Sequence, residues 1–447
     1  MGVFAVRALK MILFAASLMV ALAACASNGG PATPAPTGAP ATVPAPTPQI
    51  VPTGPITLTY WEEDNDAADV LLDELAAAFT AANPGITIQR VHYTYHDLRN
   101  QFRAESLFSG EPPDLVRSPG EFTGPFGELR IVRAMDDLFS AEYLADYLPG
   151  ALDGATLRDK VWGLPDNFGG HLMLIYNRAL VGQVPADTDA WIEQLKTLTD
   201  PITGQWGLVF DTTESYWLIP WLSGYGGWPL DAQDQPTLDT AEMVESLWFL
   251  HDLVHLHRVT PAGADYAGAF DLFGQGKAAY VIDGMWNLES YGGLGIDLGV
   301  APLPRVSQTK LLPAPMATGR YWFIASGVDG AKLDAAARFV EFMTSAQAQA
   351  EWLTKMRRLP SHKDVLGVEA IAADPLLGPA VDQLRLARGV PPALEMVCAW
   401  RGLDGAFRRV MTGELSADDA PPAMQAEAAA CVADMSPAET PTPAPTP

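Results

Sequence analysis

The sequence predicts an α/β protein, and three observations lead to this class. Predicted strands and helices alternate between residues 56 and 116, which is typical of a parallel sheet covered by helices. The chain has 447 residues, of which 48% are hydrophobic, so we expect two lobes rather than one core. A mostly apolar run, residues 277–282, suits a strand that is buried on both faces.

This buried strand ends in a group of residues suited to binding. Asp283-Gly284-Met285-Trp286 follows it, and a glycine at that point permits a sharp turn. The strand would therefore deliver a carboxylate and a large aromatic ring to the carboxyl end of the sheet, where open α/β sheets bind ligands. The alternative is that Trp286 is an ordinary core residue.

The first part of the chain gives the clearest strand and helix patterns. Residues 56–61 alternate as a strand does, and an acidic loop follows them. Leu71, Leu75 and Phe79 have helical spacing, with Asn65 or Asp66 as the candidate cap. Further predictions in this part are a strand at 86–91, a helix at 98–108 and a strand at 114–116.

The rest of the chain continues the same alternation. We predict strands at 161–165, 172–176, 206–210, 298–301 and 322–325, and helices at 191–198, 243–254, 336–343 and 346–355. An aromatic passage with interspersed glycines, residues 214–228, is predicted as loop. Large amphipathic rings in loops suit binding better than packing. Residues 384–432 are predicted to be mainly helical.

The N-terminus has the features of an export signal. Arg7 and Lys10 precede an apolar run that is too short to span a membrane as a helix. Its ending, Leu22-Ala23-Ala24-Cys25, resembles the bacterial lipobox, which implies removal of residues 1–24 and lipidation of Cys25. An ordinary signal with a chance cysteine is the alternative. Residues 25–54, rich in Pro, Ala and Thr, would form a tether, and 436–447 a disordered tail.

Charge and cysteine content limit the possible partners. The formal net charge is −25, which argues against nucleic acid as a ligand because such binding needs basic surface. Outside the cell, Cys398 and Cys431 would either form one disulfide or remain free thiols. His251 and His255 have the spacing of two zinc ligands, but no third ligand is evident, so we predict no metal and no cofactor.

Several short motifs, in order, resemble family 1 extracellular solute-binding proteins of ABC importers, within the maltose-binding-protein-like branch. The resemblance spans about residues 56–430. Its pieces are Thr59-Tyr60-Trp61, residues 79–86, residues 110–116, Val161-Trp162-Gly163-Leu164-Pro165, Ile175-Tyr176-Asn177, residues 272–286, residues 300–304 and Leu359-Pro360-Ser361.

This resemblance implies two helix-flanked, mainly parallel sheets hinged around a ligand cleft. Lobe 1 would comprise residues 55–168 and 316–376, and lobe 2 residues 169–315 and 377–435. The implied function is to capture an extracellular sugar, as a monomer with no catalysis, and to deliver it to a membrane permease. A lipid anchor would hold the protein on the extracytoplasmic side of the cell membrane.

The resemblance also implies ligand-binding residues. Glu214, Tyr216, Trp286, Trp400 and Glu121 fall at positions where the family contacts its sugar. Three more candidates lie on loops expected to face the cleft, namely Trp61, Asp64 and Asn167. Three further aromatic residues are candidates on a looser basis, namely Tyr225, Trp228 and Tyr321.

The sequence departs from the family pattern at several sugar-contacting positions. The family's lysine is missing near Asn65, its arginine after the first-lobe acid is Phe122, and its acid before the hinge is Gly170. The ligand is therefore a maltodextrin, another oligosaccharide or a non-sugar polar solute. A surface-anchored carbohydrate hydrolase and a sugar-sensing or adhesion lipoprotein are the alternative functions.

Overall fold

The computed structural model of the chain describes residues 54–64 and 66–435. The predicted signal, Cys25, nearly all of the tether, the candidate cap Asn65 and the tail lie outside these residues. Within the described part, no helix has both the length and the apolar character needed to cross a membrane.

The described chain alternates between strands and helices along its length. The strands are β1 (Ile56–Glu62), β2 (Ile86–His92), β3 (Leu115–Pro119), β4 (Thr156–Leu157), β5 (Lys160–Val161), β6 (Leu164–Pro165), β7 (Leu172–Asn177), β8 (Trp206–Val209), β9 (Ala278–Gly284), β10 (Leu298–Ala301), β11 (Met316–Ala317), β12 (Arg320–Ile324) and β13 (Arg388–Gly389). The helices are α1 (Asp66–Ala82), α2 (Tyr95–Ala104), α3 (Thr123–Glu128), α4 (Ala141–Leu144), α5 (Pro149–Asp153), α6 (Thr188–Thr197), α7 (Ile219–Tyr225), α8 (Ala241–His255), α9 (Tyr266–Gly274), α10 (Leu288–Gly293), α11 (Gly330–Met343), α12 (Ala346–Met356), α13 (Glu369–Ala373), α14 (Leu377–Leu384), α15 (Glu395–Met411) and α16 (Ala420–Met435).

The first sheet has the strand order β2-β1-β3-β12-β6. Its strands β2, β1 and β3 are parallel, as predicted, whereas β12 runs antiparallel to both β3 and β6. Helices α1 and α11 cover the sheet, and Leu58, Phe79 and Phe339 belong to its apolar core. Because helices cover the sheet, both Tyr60 and Trp61 are buried although they alternate along β1.

The second sheet has the order β10-β7-β9-β8 and departs from the expected parallel pattern. Strand β9 is fully buried, as predicted, but it is parallel only to β8, and β7 is antiparallel to both β9 and β10. The antiparallel pairing of β7 with β9 follows from where the chain enters the second lobe. Strand β7 starts there, at Leu172, and this first residue pairs with Gly284, the last residue of β9.

Three chain segments connect the two lobes, and these segments lie beside one another. Gly169 pairs with Thr318, and β11 pairs in parallel with β13. The hydroxyl of Tyr216 lies 3.0 Å from the carbonyl oxygen of Gly170 and 2.9 Å from that of Met316. Two sheets with separate cores and three adjoining connections form a two-lobed α/β fold, which confirms the predicted fold class.

The aromatic passage and the C-terminal region complete the second lobe. The passage is partly helical rather than loop, because α7 places Trp221 and Leu222 in the core of this lobe. In the C-terminal region, Cys398 of α15 and Cys431 of α16 form a disulfide, with their Cα atoms 5.4 Å apart. This bond settles the choice between a disulfide and free thiols.

Candidate functional site

A cavity of about 510 Å³ lies between the edges of the two sheets. We call it the cleft. Both lobes and two of the connecting segments contribute to its lining: Asn167, Phe168, Gly169, Gly170, Met285, Trp286, Leu288, Glu289, Thr318, Gly319, Arg320, Met356, Arg357, Arg358 and Leu359.

The wall from the first lobe is polar because of the way its strands end. Strands β1 and β6 finish at this edge, and β12, which runs in the opposite direction, begins there. Glu63, Asp64 and Asn167 therefore follow strand ends, while Arg320 opens a strand. Antiparallel pairing thus brings the start of one strand to the edge where the others finish.

A buried ion-pair network supports this wall. Arg117, whose side chain is 1% exposed, forms ion pairs with both Asp64 and Asp166. Arg358 binds Asp64 through two hydrogen bonds, of 2.8 Å and 2.6 Å. Both guanidinium groups lie 4.8 Å from the ring centroid of Trp352, close enough for cation–π attraction. The network fixes Arg358 at the cleft surface.

The ionisation of Asp64 follows from its partners. Burial by itself would raise its pKa, but hydrogen bonds and the positive charges of Arg358 and Arg117 outweigh burial and hold the pKa far below its usual value. Asp64 is therefore a carboxylate at any physiological pH. Its charge is shared between the two arginines instead of being directed at the cleft.

A second ion pair in this wall is less well bonded. The Nε atom of Arg320 lies 3.2 Å from Oε1 of Glu63, whose side chain is 1% exposed. Among the described residues, neither carboxylate oxygen of Glu63 has a hydrogen-bond partner, and neither does Nε of Arg320. Burial raises the pKa of Glu63. The pair therefore has unused hydrogen-bonding capacity beside the cleft.

The wall from the second lobe is mainly apolar, with Glu289 as its one charged lining residue among those that the structure describes. Trp286, just beyond the end of β9, is 45% exposed, and Met285 and Leu288 flank it in the lining. A Cβ atom on Gly284 would lie 2.1 Å from Cζ3 of Trp286, so the indole lies against the backbone of that glycine. Glycine at position 284 thus permits the ring to lie across the end of the strand.

The structure brings three of the predicted site residues to the cleft region. Trp286 and Asn167 line it, and Asp64 lies directly behind Arg358. Asn167 donates a hydrogen bond of 2.6 Å to Asp166 and accepts one of 3.3 Å from the backbone of Arg320.

Two predicted residues lie at the connecting segments. Tyr216 bonds to the backbone there, and its ring centroid is 6.3 Å from that of the partly buried Trp400. Glu214 and Glu121 are exposed, and neither lines the cleft.

The other four predicted residues lie away from the cleft lining. Trp61 is 7% exposed and packs on Tyr93, and Tyr321 is fully buried, with its hydroxyl donating to the Ala151 carbonyl. Tyr225 packs on Phe249 in the second lobe, where burial raises its pKa to about 12. Trp228 stacks against Arg388 in a separate cavity of about 360 Å³.

Sequence reasoning missed Arg320 and Arg358. Arg320 stands at the amino end of β12, whereas the strand-based expectation placed binding residues at carboxyl ends. Arg358 reaches the cleft because α12 ends at Met356 and the next residue, Arg357, adopts the left-handed conformation at φ 52°. The charged pair before Leu359-Pro360 was the available signal.

One group of possible metal-ligand atoms occurs among the described residues, formed by Glu62, Asp69 and His92. The guanidinium of Arg90 lies 2.9 Å from Glu62 and 3.0 Å from Asp69. A cationic side chain therefore already pairs with both carboxylates of this group, and we assign no metal to it.

The chain belongs to the bacterial extracellular solute-binding protein family, whose model matches residues 74–379. This match confirms the resemblance identified from the sequence motifs and the function class that it implies.

Three curated relatives show how similar the chain is to characterised proteins. The maltotriose-binding protein of Pyrococcus abyssi is 26% identical over 356 residues, which cover 78% of this chain and 76% of the relative. The galactooligosaccharide-binding protein of Bacillus subtilis is 22% identical, and the match covers 80% of this chain and 85% of the relative. A maltooligosaccharide ABC transporter solute-binding lipoprotein of Streptococcus pneumoniae is 24% identical, and the match covers 65% of this chain and 70% of the relative.

Solved structures of related proteins have the same fold. The maltose/maltodextrin-binding domain of Bdellovibrio bacteriovorus bound to maltotriose is 27% identical, covers 85% of this chain and 100% of its own, and has a TM-score of 0.66. A cyclo/maltodextrin-binding protein complexed with maltotetraose has a TM-score of 0.78 at 22% identity, covering 85% and 98%.

Proposed function

We propose that this protein is the receptor of an ABC importer and that it captures an intact, neutral oligosaccharide of the maltooligosaccharide type in the cleft. The names of the relatives from Pyrococcus and Streptococcus support this ligand class. The galactooligosaccharide-binding relative is the specific reason to retain a second sugar class as an alternative.

The observation that carries the proposal is the pairing of an exposed indole with a polar wall across the cleft. The volume of about 510 Å³ lies within the usual range of small-molecule sites, about 300–1,000 Å³. A sugar ring has an apolar C–H face and a rim of hydroxyls. Trp286 would cover the face, while Asn167, Arg320 and Arg358 would bond to the rim.

The balance of charge favours a neutral ligand. Arg358 pairs with Asp64, Arg320 with Glu63, and Arg357 with Asp374. Glu289 adds a further carboxylate to the lining. An acidic ligand would find no surplus positive charge here, whereas the hydroxyls of a neutral sugar require only oriented donors and acceptors.

The proposed site does not include every predicted residue. Trp61 and Tyr321 are omitted because their rings pack within the first lobe. Tyr216 and Trp400 are retained beside the connecting segments, where a longer oligosaccharide would extend. We assign no contact to Glu214, Glu121, Tyr225 or Trp228.

Capture and release would follow from hinge bending between the lobes. A ligand that contacts both walls stabilises the closed form, to the extent of its preference for that form. The closed, monomeric receptor would then dock on the permease and release the sugar unaltered. A lipid on Cys25 would keep it at the extracytoplasmic face of the membrane.

Calorimetry combined with product analysis tests the proposed function. Maltotriose, a galactooligosaccharide and glucuronic acid would be titrated into the mature chain, with Cys25 replaced by serine for solubility. We expect saturable binding of maltotriose, weaker binding of the galactooligosaccharide and none of the acid. Chromatography after prolonged incubation should return intact sugar. Cleavage would favour the hydrolase, and the absence of any sugar binding would refute the proposal.

A Cys25→Ala variant tests the anchor separately. We expect the full-length wild-type protein in the membrane fraction and the variant in the soluble fraction, because one residue carries the lipid. Retention of the variant in membranes would contradict the proposed anchor.

A further inference from the structure

A chain of hydrogen bonds links the cleft tryptophan to the interior of the second lobe. The indole N–H of Trp286 donates to the hydroxyl oxygen of Tyr266 at 2.8 Å. The side-chain amide of Asn287 donates to the same oxygen at 2.6 Å. Tyr266 lies at the start of α9, and its ring centroid is 6.0 Å from that of Trp217. The tyrosine therefore connects the exposed indole to Asn287.

The chain ends on a buried carboxylate. Asn287 also donates to Oδ2 of Asp283 at 2.8 Å, and the hydroxyl of Tyr291 donates to that oxygen at 2.6 Å. The backbone N–H of Gly284 donates to Oδ1 at 2.7 Å. Asp283 is 2% exposed and Asn287 8%. This carboxylate thus accepts three hydrogen bonds without reaching the cleft.

The chemistry of these groups fixes the direction of every bond. The Oδ2 atom of Asp283 accepts from Asn287 as it does from Tyr291, so the amide nitrogen of Asn287 faces Asp283. Its second N–H then points at the Tyr266 oxygen. An indole has a single donor and no acceptor, so Trp286 meets that oxygen in one orientation only.

The network matters because packing alone leaves the indole poorly held. Trp286 is 45% exposed, and Gly284 beneath it has no side chain to restrict rotation of the ring. A ring that must be ordered when ligand arrives reduces affinity, because binding then includes the loss of its rotamer freedom. A ring already held at its N–H avoids most of that loss.

We propose that Asp283 is a positioning residue, which acts through Asn287 and Tyr266 to hold the indole of Trp286 in the orientation that stacks on the ligand. The effect on sugar affinity rests on the function proposed above. The effect on the ring itself does not, because it is present in the ligand-free protein.

Fluorine NMR of protein labelled with fluorotryptophan observes the ring directly. The chain has 12 tryptophans, and the Trp286 resonance is identified by its loss in Trp286→Phe. The test variants are Asp283→Asn, Asn287→Ala and Tyr266→Phe. The matched control is Tyr280→Phe, which removes from the same strand a hydroxyl that bonds to Gln194 at 2.6 Å, away from the cleft.

In the ligand-free protein, we expect each test variant to shift and broaden the Trp286 resonance while the other resonances stay in place. Affinity for maltotriose should fall roughly tenfold, the amount expected for the loss of one hydrogen bond. Tyr280→Phe should alter neither the Trp286 resonance nor the affinity for maltotriose. If Asp283→Asn does not fold, Asn287→Ala tests the same link.

Two results would overturn the inference. An unchanged Trp286 resonance in both Asn287→Ala and Tyr266→Phe would show that packing alone orients the ring. A moved resonance with undiminished affinity for maltotriose would show that ring orientation has no role in binding. Failure of the wild-type protein to bind any sugar refutes only the proposed function, since the ligand-free spectra still test the positioning.

Discussion

The two walls of the cleft are built on different physical principles. In the first lobe, polar side chains meet in a network where Arg117 and Asp64 are buried and paired before any ligand arrives. In the second lobe, Trp286 presents bare apolar surface. The buried Arg117–Asp64 network of the first wall is already paired internally, whereas the indole of the second wall is covered only when something binds against it.

This difference suggests a division of labour. Covering an exposed indole releases free energy in proportion to the apolar area buried, largely regardless of which sugar covers it. Directional donors such as Arg320 and Asn167 would discriminate between hydroxyl configurations, because a mismatched hydroxyl leaves a polar group unpaired. We therefore expect the second lobe to supply affinity and the first lobe to supply selectivity.

The largest expected effect is on the buried network. Asp64→Asn removes the carboxylate shared by Arg117 and Arg358, so it should lower the free energy of unfolding by about 3–5 kcal/mol. Urea denaturation at neutral pH measures this. Asp69→Asn, which affects a more exposed ion pair with Arg90, is the control and should cost about 1 kcal/mol or less. Equal losses of unfolding free energy in the two variants would mean that the buried network stabilises the fold no more than an exposed ion pair does.

The pH dependence of this loss has a definite sign. The pKa of Asp64 is lowered by folding, so its stabilisation is complete above the unfolded-state value of about 3.9 and declines as the pH falls below it. The stability gap between wild type and Asp64→Asn should therefore narrow below about pH 4. A constant gap would contradict the depressed pKa.

The second lobe has a covalent constraint instead of a buried ion network at its C-terminal end. The disulfide closes a loop with a sequence separation of 33, so replacing both cysteines by serine should cost about 3–4 kcal/mol. Thermal unfolding with and without reductant measures this. The double variant should no longer respond to reductant, and sugar affinity should be unchanged. A large fall in sugar affinity would contradict the expectation that the disulfide stabilises the fold without affecting binding.

Trp286→Ala tests the aromatic wall itself. We expect roughly a 30-fold or greater loss of affinity, similar for every sugar that binds, with little change in stability because the ring is half exposed. Calorimetry with two sugars checks both points. Trp248→Ala, which removes a ring bonded to Asp418 away from the cleft, is the control. Unchanged affinity for Trp286→Ala would contradict the proposed role.

Arg320→Gln should have the smallest effect on affinity but the clearest effect on selectivity. We expect a loss of roughly tenfold for maltotriose and a smaller loss for the galactooligosaccharide, because one oriented donor is removed. The ratio of the two dissociation constants is the measurement. Equal losses for both sugars would contradict the division of labour between the walls.

The sequence predicted the strands well but the site only in part. The path of β9 to Trp286 was predictable because a buried run ending in Gly284 implies delivery to a sheet edge. Trp61 and Tyr321 could not be assigned, since in a sheet covered on both faces an aromatic residue beside the cleft and one in the core look alike. Arg320 was missed because strand direction depends on pairing between distant segments, which local patterns do not contain.

A crystal structure of the protein with maltotriose would be the decisive test of the cleft as a sugar site. We expect closed lobes and an intact oligosaccharide in the cleft, with one ring stacked on Trp286 and hydroxyls bonded to Arg320 and Asn167. A sugar bound elsewhere on the molecule, or one cleaved within the cleft, would contradict it.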